Sequence, residues 1–115
     1  MSDEIVVKKD EYLMREGEES DTMYFLKSGT MGVFKIKGGR EHLIGNIYSG
    51  ELVGEMSFLD KGPRSASVKS MSECHMIVIP SDKFERTLSQ LPSWYRALVN
   101  TLLDRLRRAN ARIRV

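Results

Sequence analysis

The sequence is poor in the residues that mark several common classes of protein. Only one of its 115 residues is cysteine, Cys74, so an internal disulfide is excluded. Its two histidines, His42 and His75, have no third histidine or spaced acid to complete a metal site. No apolar run approaches the roughly 18 residues of a membrane span, and the N-terminus lacks the basic flank of a secretory signal. We therefore expect a cytoplasmic protein with no metal and no membrane contact.

Catalytic patterns are equally scarce. Ser57, Ser65 and Ser67 have no neighbouring histidine that would act as a general base, so nucleophilic catalysis is unsupported. The single cysteine also argues against an iron-sulfur cluster. We expect a chain that binds a ligand without converting it, with no catalytic residues and no cofactor.

The remaining composition is that of an ordinary globular domain. Hydrophobic residues make up 41% and charged residues 30%, with a net charge of +2. A chain of this length builds one modest core rather than two. The expectation is a single domain over residues 1–115, with strands in residues 1–80 and helices in residues 81–115.

The most informative stretch runs from Ser49 to Ala66, SGELVGEMSFLDKGPRSA. Gly50 and Gly54 allow the backbone to approach a ligand closely or to take positive φ. Glu55 only accepts hydrogen bonds, which suits a ligand hydroxyl such as a ribose 2'-OH. Arg64 offers a planar guanidinium that matches phosphate oxygens. The chemistry predicts a site for a cyclic phosphate.

The residues around Arg64 complete this candidate site. Ser65 and Ala66 have short side chains that leave their backbone N–H groups free for the same anion. Residues 55–59 are predicted to form one helical turn whose N-terminal N–H groups face the phosphate, with Phe58 and Leu59 anchoring it to the core. Taken singly, these residue types also fill ordinary surface turns, so it is their combination that points to a ligand.

Two motifs in this order resemble the cyclic nucleotide-binding domain family, which includes catabolite activator proteins and regulatory subunits of cAMP-dependent kinases. The order Gly54-Glu55-(x)8-Arg64-Ser65-Ala66-Ser67-Val68 is similar to the family's phosphate-binding cassette, and residues 16–29, EGEESDTMYFLKSG, are similar to its upstream signature. The resemblance implies a mainly β fold, a β-jelly roll with a cassette at residues 50–66 and C-terminal helices that serve as lid or dimer helix. It also implies a sensor for cAMP, with Arg64, Ser65 and Ala66 at the phosphate and Gly54 and Glu55 at the ribose.

A nucleobase also needs apolar walls. By the same resemblance, Val33, Ile44 and Ile47 correspond to positions that pack against the base, and Met56 adds to that surface. Ser57 completes the candidate set within the cassette. Plain core packing remains the alternative for each apolar residue, and the sequence does not separate the two.

The strand pattern agrees with a barrel or sandwich. Short β-rich segments separated by glycine-marked turns are typical of antiparallel folds of this kind. We predict strands at residues 4–9, 22–27, 31–37, 40–47, 66–71 and 75–79. Gly38-Gly39 marks a tight hairpin, and Cys74, beside an apolar run, is predicted to be a buried small side chain.

From Pro80 the pattern becomes helical. Ser81 or Asp82 caps a first helix, and a second begins near Pro92-Ser93. The second helix carries apolar residues at heptad spacing, namely Tyr95, Val99, Leu102, Leu106, Ala109 and Ile113. This seam predicts a homodimer through residues 94–115, with packing on the chain's own barrel as the alternative. The family resemblance places Arg105 toward Glu55 and Asn110 toward the base edge.

The last helix is also rich in arginine. From residue 96 onward there are six arginines against one acid, Asp104. A solvated face is the expected explanation, and we do not expect this chain to bind nucleic acid directly. The chain ends in mid-helix, and we expect an output domain or partner beyond Val115, with a stand-alone sensor that acts through its C-terminal helix as the alternative. The alternatives left open are a cGMP or cyclic-dinucleotide sensor, and a dimerising or nucleic-acid-associating module with a vestigial pocket.

Overall fold

The computed structural model describes residues 3–60 and 62–113. The side chains of residues 56, 59, 60 and 110–113 lie outside this description. The strands are β1 (Glu4–Val7), β2 (Tyr12–Met14), β3 (Thr22–Ser28), β4 (Thr30–Lys37), β5 (Arg40–Tyr48), β6 (Leu52–Val53), β7 (Ser67–Ser70) and β8 (Cys74–Pro80). The helices are α1 (Glu55–Asp60), α2 (Ser81–Ser89) and α3 (Ser93–Ile113). The chain divides into two compact units, Met1–Pro80 and Ser81–Val115.

The first unit is a β-jelly roll of two four-stranded antiparallel sheets, with strand orders β1-β8-β3-β6 and β2-β7-β4-β5. The mainly β fold expected from the sequence is therefore confirmed. Side chains from both sheets form its core, and the largest fully buried ones are Leu26, Met31, Met76, Val53 and Cys74. Cys74, predicted to be buried, is 0% exposed.

The hairpin between β4 and β5 forms where the sequence predicts it. Gly38 and Gly39 take φ values of 60° and 76°, the double positive φ that a two-residue turn matching the twist of the strands requires. Lys37 consequently pairs with Arg40, and the ladder continues as far as Thr30. A bulge interrupts it between Val33 and Phe34, since Val33 pairs with Gly45 but Phe34 pairs with Leu43.

Three strands, β1, β2 and β6, differ from the sequence expectation. β2 and β6 are three and two residues long, too short to show an alternating pattern, and neither was predicted. The first strand ends at Val7 rather than Lys9 because the chain turns there, and Asp10 takes a positive φ of 71°. The cassette helix is confirmed at residues 55–60.

The second unit consists of α2 and α3. As the sequence predicts, α3 begins at Ser93, directly after Pro92, and it runs for 21 residues. Large apolar side chains are exposed along it, namely Trp94, Tyr95, Leu98, Leu102 and Leu106. Among the described residues no helix is long and apolar enough to cross a membrane.

Candidate functional site

The cassette connects β6 to β7 through a sharp backbone reversal and a short helix. Gly54 follows β6 directly with a φ of +76°, and α1 begins at the next residue. The carbonyl of Gly54 accepts the N–H of Phe58 at 3.2 Å, which is the first turn of that helix. Phe58 is buried, as expected for an anchor, whereas the side chain of Leu59 lies outside the described residues.

Arg64 is the one cation among the described residues that the cassette buries, with 6% of its surface exposed. Its Nη1 donates to the carbonyl of Gly54 and to Oγ of Ser57, both at 3.2 Å, and its Nη2 donates to the carbonyl of Thr22 at 2.7 Å. Burial lowers the pKa of Arg64, but an arginine stays protonated throughout the ordinary pH range. The site therefore contains a fixed, partly desolvated positive charge.

The loop between β2 and β3 holds the backbone of Arg64 in place. The N–H of Arg64 donates to the carbonyl of Glu18 at 2.7 Å, and its carbonyl accepts the N–H of Gly17 at 2.8 Å. The N–H of Glu16 donates to Oγ of Ser67 at 2.9 Å. The two sequence motifs that carry the family resemblance are thus hydrogen-bonded to each other.

A cavity of about 260 Å³ lies beside this arrangement, within the first unit. Its polar lining comes from the cassette and includes Gly54, Glu55, Ser57, Arg64 and Ser65. Glu55 is the first residue of α1 and is half-buried, while Ser65 is exposed. The cavity therefore has one cation, Arg64, and two carboxylates, Glu51 and Glu55, on the side formed by the cassette.

The other walls of the cavity are apolar. They are formed by Met14, Val33, Ile47, Leu52 and Val68, with Ala66 directly before β7. Such a cavity, apolar with a few convergent polar groups, has the general character of a small-molecule site.

The structure brings together eight of the twelve candidate residues from the sequence. They are Val33, Ile47, Gly54, Glu55, Ser57, Arg64, Ser65 and Ala66, all of which line the cavity. Ile44 is not among the lining residues: it is 54% exposed, and it occupies the extra position of the β5 bulge, between Leu43 and Gly45. Arg105 lies on α3 in the second unit. The side chains of Met56 and Asn110 lie outside the described residues.

Sequence reasoning missed four residues that line the cavity, namely Met14, Glu51, Leu52 and Val68. The signal for Val68 was present, because it follows Ala66 at the spacing of residues on one face of a strand. Met14 and Leu52 belong to the two short strands that have no visible alternation. Glu51 accepts the N–H of Tyr48 at 2.7 Å, a turn contact that spacing alone does not reveal.

No cluster of three or more histidine, cysteine, aspartate or glutamate side chains is placed to bind a metal within residues 3–60 and 62–113. The chemistry of the cavity is that of anion and hydroxyl recognition beside an apolar surface. An arginine and backbone N–H groups bind a phosphate, and a carboxylate accepts hydrogen bonds from hydroxyl groups.

A family model described as "Cyclic nucleotide-binding domain" matches residues 4–91. Among curated proteins, the human potassium/sodium hyperpolarization-activated cyclic nucleotide-gated channel 1 is 33% identical over 103 residues, which cover 90% of this chain and 11% of the channel. The chain thus spans about a tenth of the length of such relatives.

Solved structures show the same fold. A half-site-occupied form of the EAL enzyme Bd1971 matches with a TM-score of 0.88 at 26% identity, covering 96% of this chain and 99% of that one. The cAMP-bound form of this enzyme matches with a TM-score of 0.72 at 27% identity, over 95% of this chain and 29% of that one. The regulatory domain of Toxoplasma gondii PKA with cAMP matches with a TM-score of 0.71 at 28% identity, over 74% of this chain and 33% of that one.

Proposed function

This chain belongs to the cyclic nucleotide-binding domain family, and we propose that it binds cAMP as the sensor of a regulatory switch without converting it. Arg64 would bind the cyclic phosphate together with Ser65 and the N–H of Ala66. Glu55 and the backbone of Gly54 would bind the ribose hydroxyl, and Val33 and Ile47 would pack against the base. We assign these contacts because all of the residues named line the cavity.

The observation that carries this proposal is the electrostatic state of Arg64. It is 6% exposed, yet all three of its hydrogen-bond acceptors are neutral oxygens. Among the described residues, no carboxylate forms an ion pair with it. Asp21 and Glu18 act on the guanidinium only from a distance, and they raise its pKa less than burial lowers it. A buried charge without a directly paired counterion is costly. A bound anion would offset that cost, which gives the buried cation beside the cavity a role in binding.

The expected strength of binding is compatible with this set of groups. A hydrogen bond to a charged group contributes roughly 1.5–3 kcal/mol, so one arginine and two or three further donors support affinity on the order of micromolar. Similarity to an enzyme solved with cAMP supports this choice of ligand. The same enzyme is also solved with cGMP, so cGMP is the competing ligand.

Isothermal titration calorimetry of the chain with cAMP and with cGMP tests the proposal, with 5'-AMP as the acyclic control. We expect saturable binding of a cyclic nucleotide and weaker binding of 5'-AMP, because its dianionic phosphate meets Arg64 beside the carboxylates of Glu51 and Glu55. Neither heat nor a thermal shift at millimolar cyclic nucleotide would contradict the sensor function and favour an interaction module with a vestigial pocket.

We further propose that the sensor signals through its C-terminal helix, which an output domain or partner would read. Arg105 and Asn110 remain candidates to reach the ligand. The exposed seam side chains of Tyr95, Leu102 and Leu106 support pairing of this helix with a second copy.

Sedimentation velocity tests this pairing. Leu102→Glu is expected to shift a dimer to monomer, whereas Asn100→Glu, at an exposed polar position of the same helix, is the matched control. Monomeric wild-type protein at all concentrations would contradict the dimer.

A further inference from the structure

Three serines of the jelly roll are buried to a similar extent but have different partners. Ser57 and Ser67 are each 3% exposed and Ser70 is 0% exposed. Oγ of Ser67 accepts a backbone N–H, and Oγ of Ser70 has no partner among the described residues. Oγ of Ser57 alone in this group accepts from the guanidinium of Arg64. The three side chains are chemically identical, so they provide their own controls.

The hydroxyl of Ser57 is oriented by a second hydrogen bond. It donates to the carbonyl of Gly54 at 3.4 Å while its oxygen accepts from Nη1 of Arg64 at 3.2 Å. Since a hydroxyl has one hydrogen, donation to Gly54 leaves the lone pairs of Oγ for the guanidinium. The same carbonyl of Gly54 also accepts from Nη1, so the three groups form a closed triangle.

The guanidinium is planar, so fixing its two terminal nitrogens fixes its whole orientation. Nη1 is held by Ser57 and Gly54, and Nη2 is held by the carbonyl of Thr22. Two of these three acceptors are backbone carbonyls that no side-chain substitution removes. Ser57 supplies the third, and it is therefore the only one of the three that the side-chain sequence controls directly.

The space around Nη1 is also closed. A Cβ atom built on Gly54 would lie 2.5 Å from Nη1 of Arg64 and 2.9 Å from the terminal methyl of Met14. The guanidinium therefore lies against the backbone of Gly54 and cannot move further toward it. In this orientation Arg64 lines the cavity. The three hydrogen bonds therefore hold the guanidinium where a bound ligand would meet it.

We propose that Ser57 is a positioning residue, which holds the guanidinium of Arg64 in the orientation that binds the cyclic phosphate. This inference rests on the proposed function and assigns to Ser57 a role that acts through Arg64. The acceptors of Arg64 are neutral, so Ser57 orients the cation without neutralising it. Its charge remains for the anion.

Two variants of Ser57 test this role. Ser57→Ala removes the acceptor, and Ser57→Cys keeps nearly the same shape but supplies only a weak one. Both are expected to weaken binding of cAMP about tenfold, since a buried N–H of Arg64 loses a partner. Ser70→Ala is the matched control, because Oγ of Ser70 has no partner among the described residues and Ser70 does not line the cavity; it is expected to change affinity less than twofold. The Cys variant keeps the test valid if the Ala variant does not fold.

An NMR experiment without ligand distinguishes positioning of Arg64 by Ser57 from a general effect of Ser57 on the stability of the fold. In protein labelled with ¹⁵N-arginine, slow rotation of a held guanidinium gives distinct Nη signals for Arg64, assigned by their loss in Arg64→Ala. We expect these signals to broaden or merge in Ser57→Ala and to persist in Ser70→Ala.

The outcomes distinguish the two proposals. If wild-type protein binds no cyclic nucleotide, the proposed function fails, while the Nη signals still report whether Ser57 holds Arg64. Unchanged Nη signals in the Ser57 variants would overturn the positioning role. So would an unchanged or higher affinity for cAMP, which would mean that Ser57 is irrelevant to the binding orientation or restrains Arg64 away from it.

Discussion

Gly54 and Arg64 lie so close together that a Cβ atom at position 54 would stand 2.5 Å from Nη1 of the arginine. Gly54 also has a φ of +76°, which other residues adopt only with strain. One glycine therefore meets two separate demands, since it reverses the backbone before α1 and makes room for the buried cation. Gly50, with a φ of +94°, has open space at its Cβ position and does not line the cavity.

This difference leads to a prediction for paired alanine variants. Gly54→Ala is expected to lower the free energy of unfolding by about 1–2 kcal/mol through backbone strain and to lower nucleotide affinity at least about tenfold because the methyl displaces the guanidinium. Gly50→Ala should show similar strain with affinity retained. Calorimetry and urea unfolding measure both quantities, and equal losses of affinity in the two variants would contradict the steric explanation.

Substitution of Arg64 is expected to separate binding from stability. Arg64→Ala should weaken cyclic nucleotide binding by at least about 2 kcal/mol, roughly thirtyfold, because the charge-assisted contacts to the phosphate are lost. Arg64→Met keeps most of the side-chain volume and should lose affinity equally. Its free energy of unfolding should stay within about 1 kcal/mol of wild type, since a desolvated cation without an ion pair is removed.

The measurement is calorimetry combined with urea unfolding of both variants. Affinity that survives in either variant would show that the phosphate is bound elsewhere. A large loss of stability in Arg64→Met would show instead that the three hydrogen bonds of Arg64 chiefly support the fold.

The sequence predicts the cassette well because its residues have local requirements. Positive φ at Gly54, the short helix from Glu55 and the two-glycine turn at residues 38–39 are each determined by neighbours along the chain. The sequence also identifies Arg64 as the candidate cation. It does not predict that Arg64 is buried, because Thr22, whose carbonyl accepts from Nη2, lies 42 residues away in the sequence.

The walls of the cavity are likewise hard to predict from sequence where they depend on contacts between distant strands. The family resemblance places Val33 and Ile47 against the base, and both line the cavity on the paired strands β4 and β5. Ile44, predicted with them, is displaced by a bulge that nothing in the local pattern marks. Met14 and Leu52 enter the site only through pairing of very short strands with distant ones. Such pairing depends on the assembled sheets.

The orphan hydroxyl of Ser70 leads to a stability prediction. Its Oγ is buried without a hydrogen-bond partner among the described residues, whereas Oγ of Ser67 accepts the N–H of Glu16. Ser70→Ala is expected to raise the free energy of unfolding by about 1 kcal/mol, because an unsatisfied polar group leaves the core. Ser67→Ala should lower it by about 1 kcal/mol, since it leaves the partly buried N–H of Glu16 without its side-chain partner. Urea unfolding of both variants measures these changes. Equal destabilisation by the two substitutions would mean that a buried water molecule forms a hydrogen bond with Oγ of Ser70.

Tyr24 leads to a prediction about alkaline pH. Burial is the largest cause that raises the pKa of Tyr24 above its ordinary value near 10, while the nearby charge of Arg64 opposes the shift. Above pH 10 the unfolded chain therefore loses this proton more readily than the folded one, and the free energy of unfolding falls as pH rises. Below pH 10 both states keep the proton, and Tyr24 contributes no pH dependence.

Tyr24→Phe removes this ionisation while keeping the aromatic ring. We expect the difference in free energy of unfolding between wild type and Tyr24→Phe to be constant from pH 7 to about 9. As the pH rises further, wild type should lose more free energy of unfolding than Tyr24→Phe, because only the wild-type tyrosine releases a proton on unfolding. Urea titrations at several pH values measure the difference, and taking it between two proteins cancels the titration of lysines that both share. A difference that stays constant through pH 11 would show that Tyr24 titrates alike in both states.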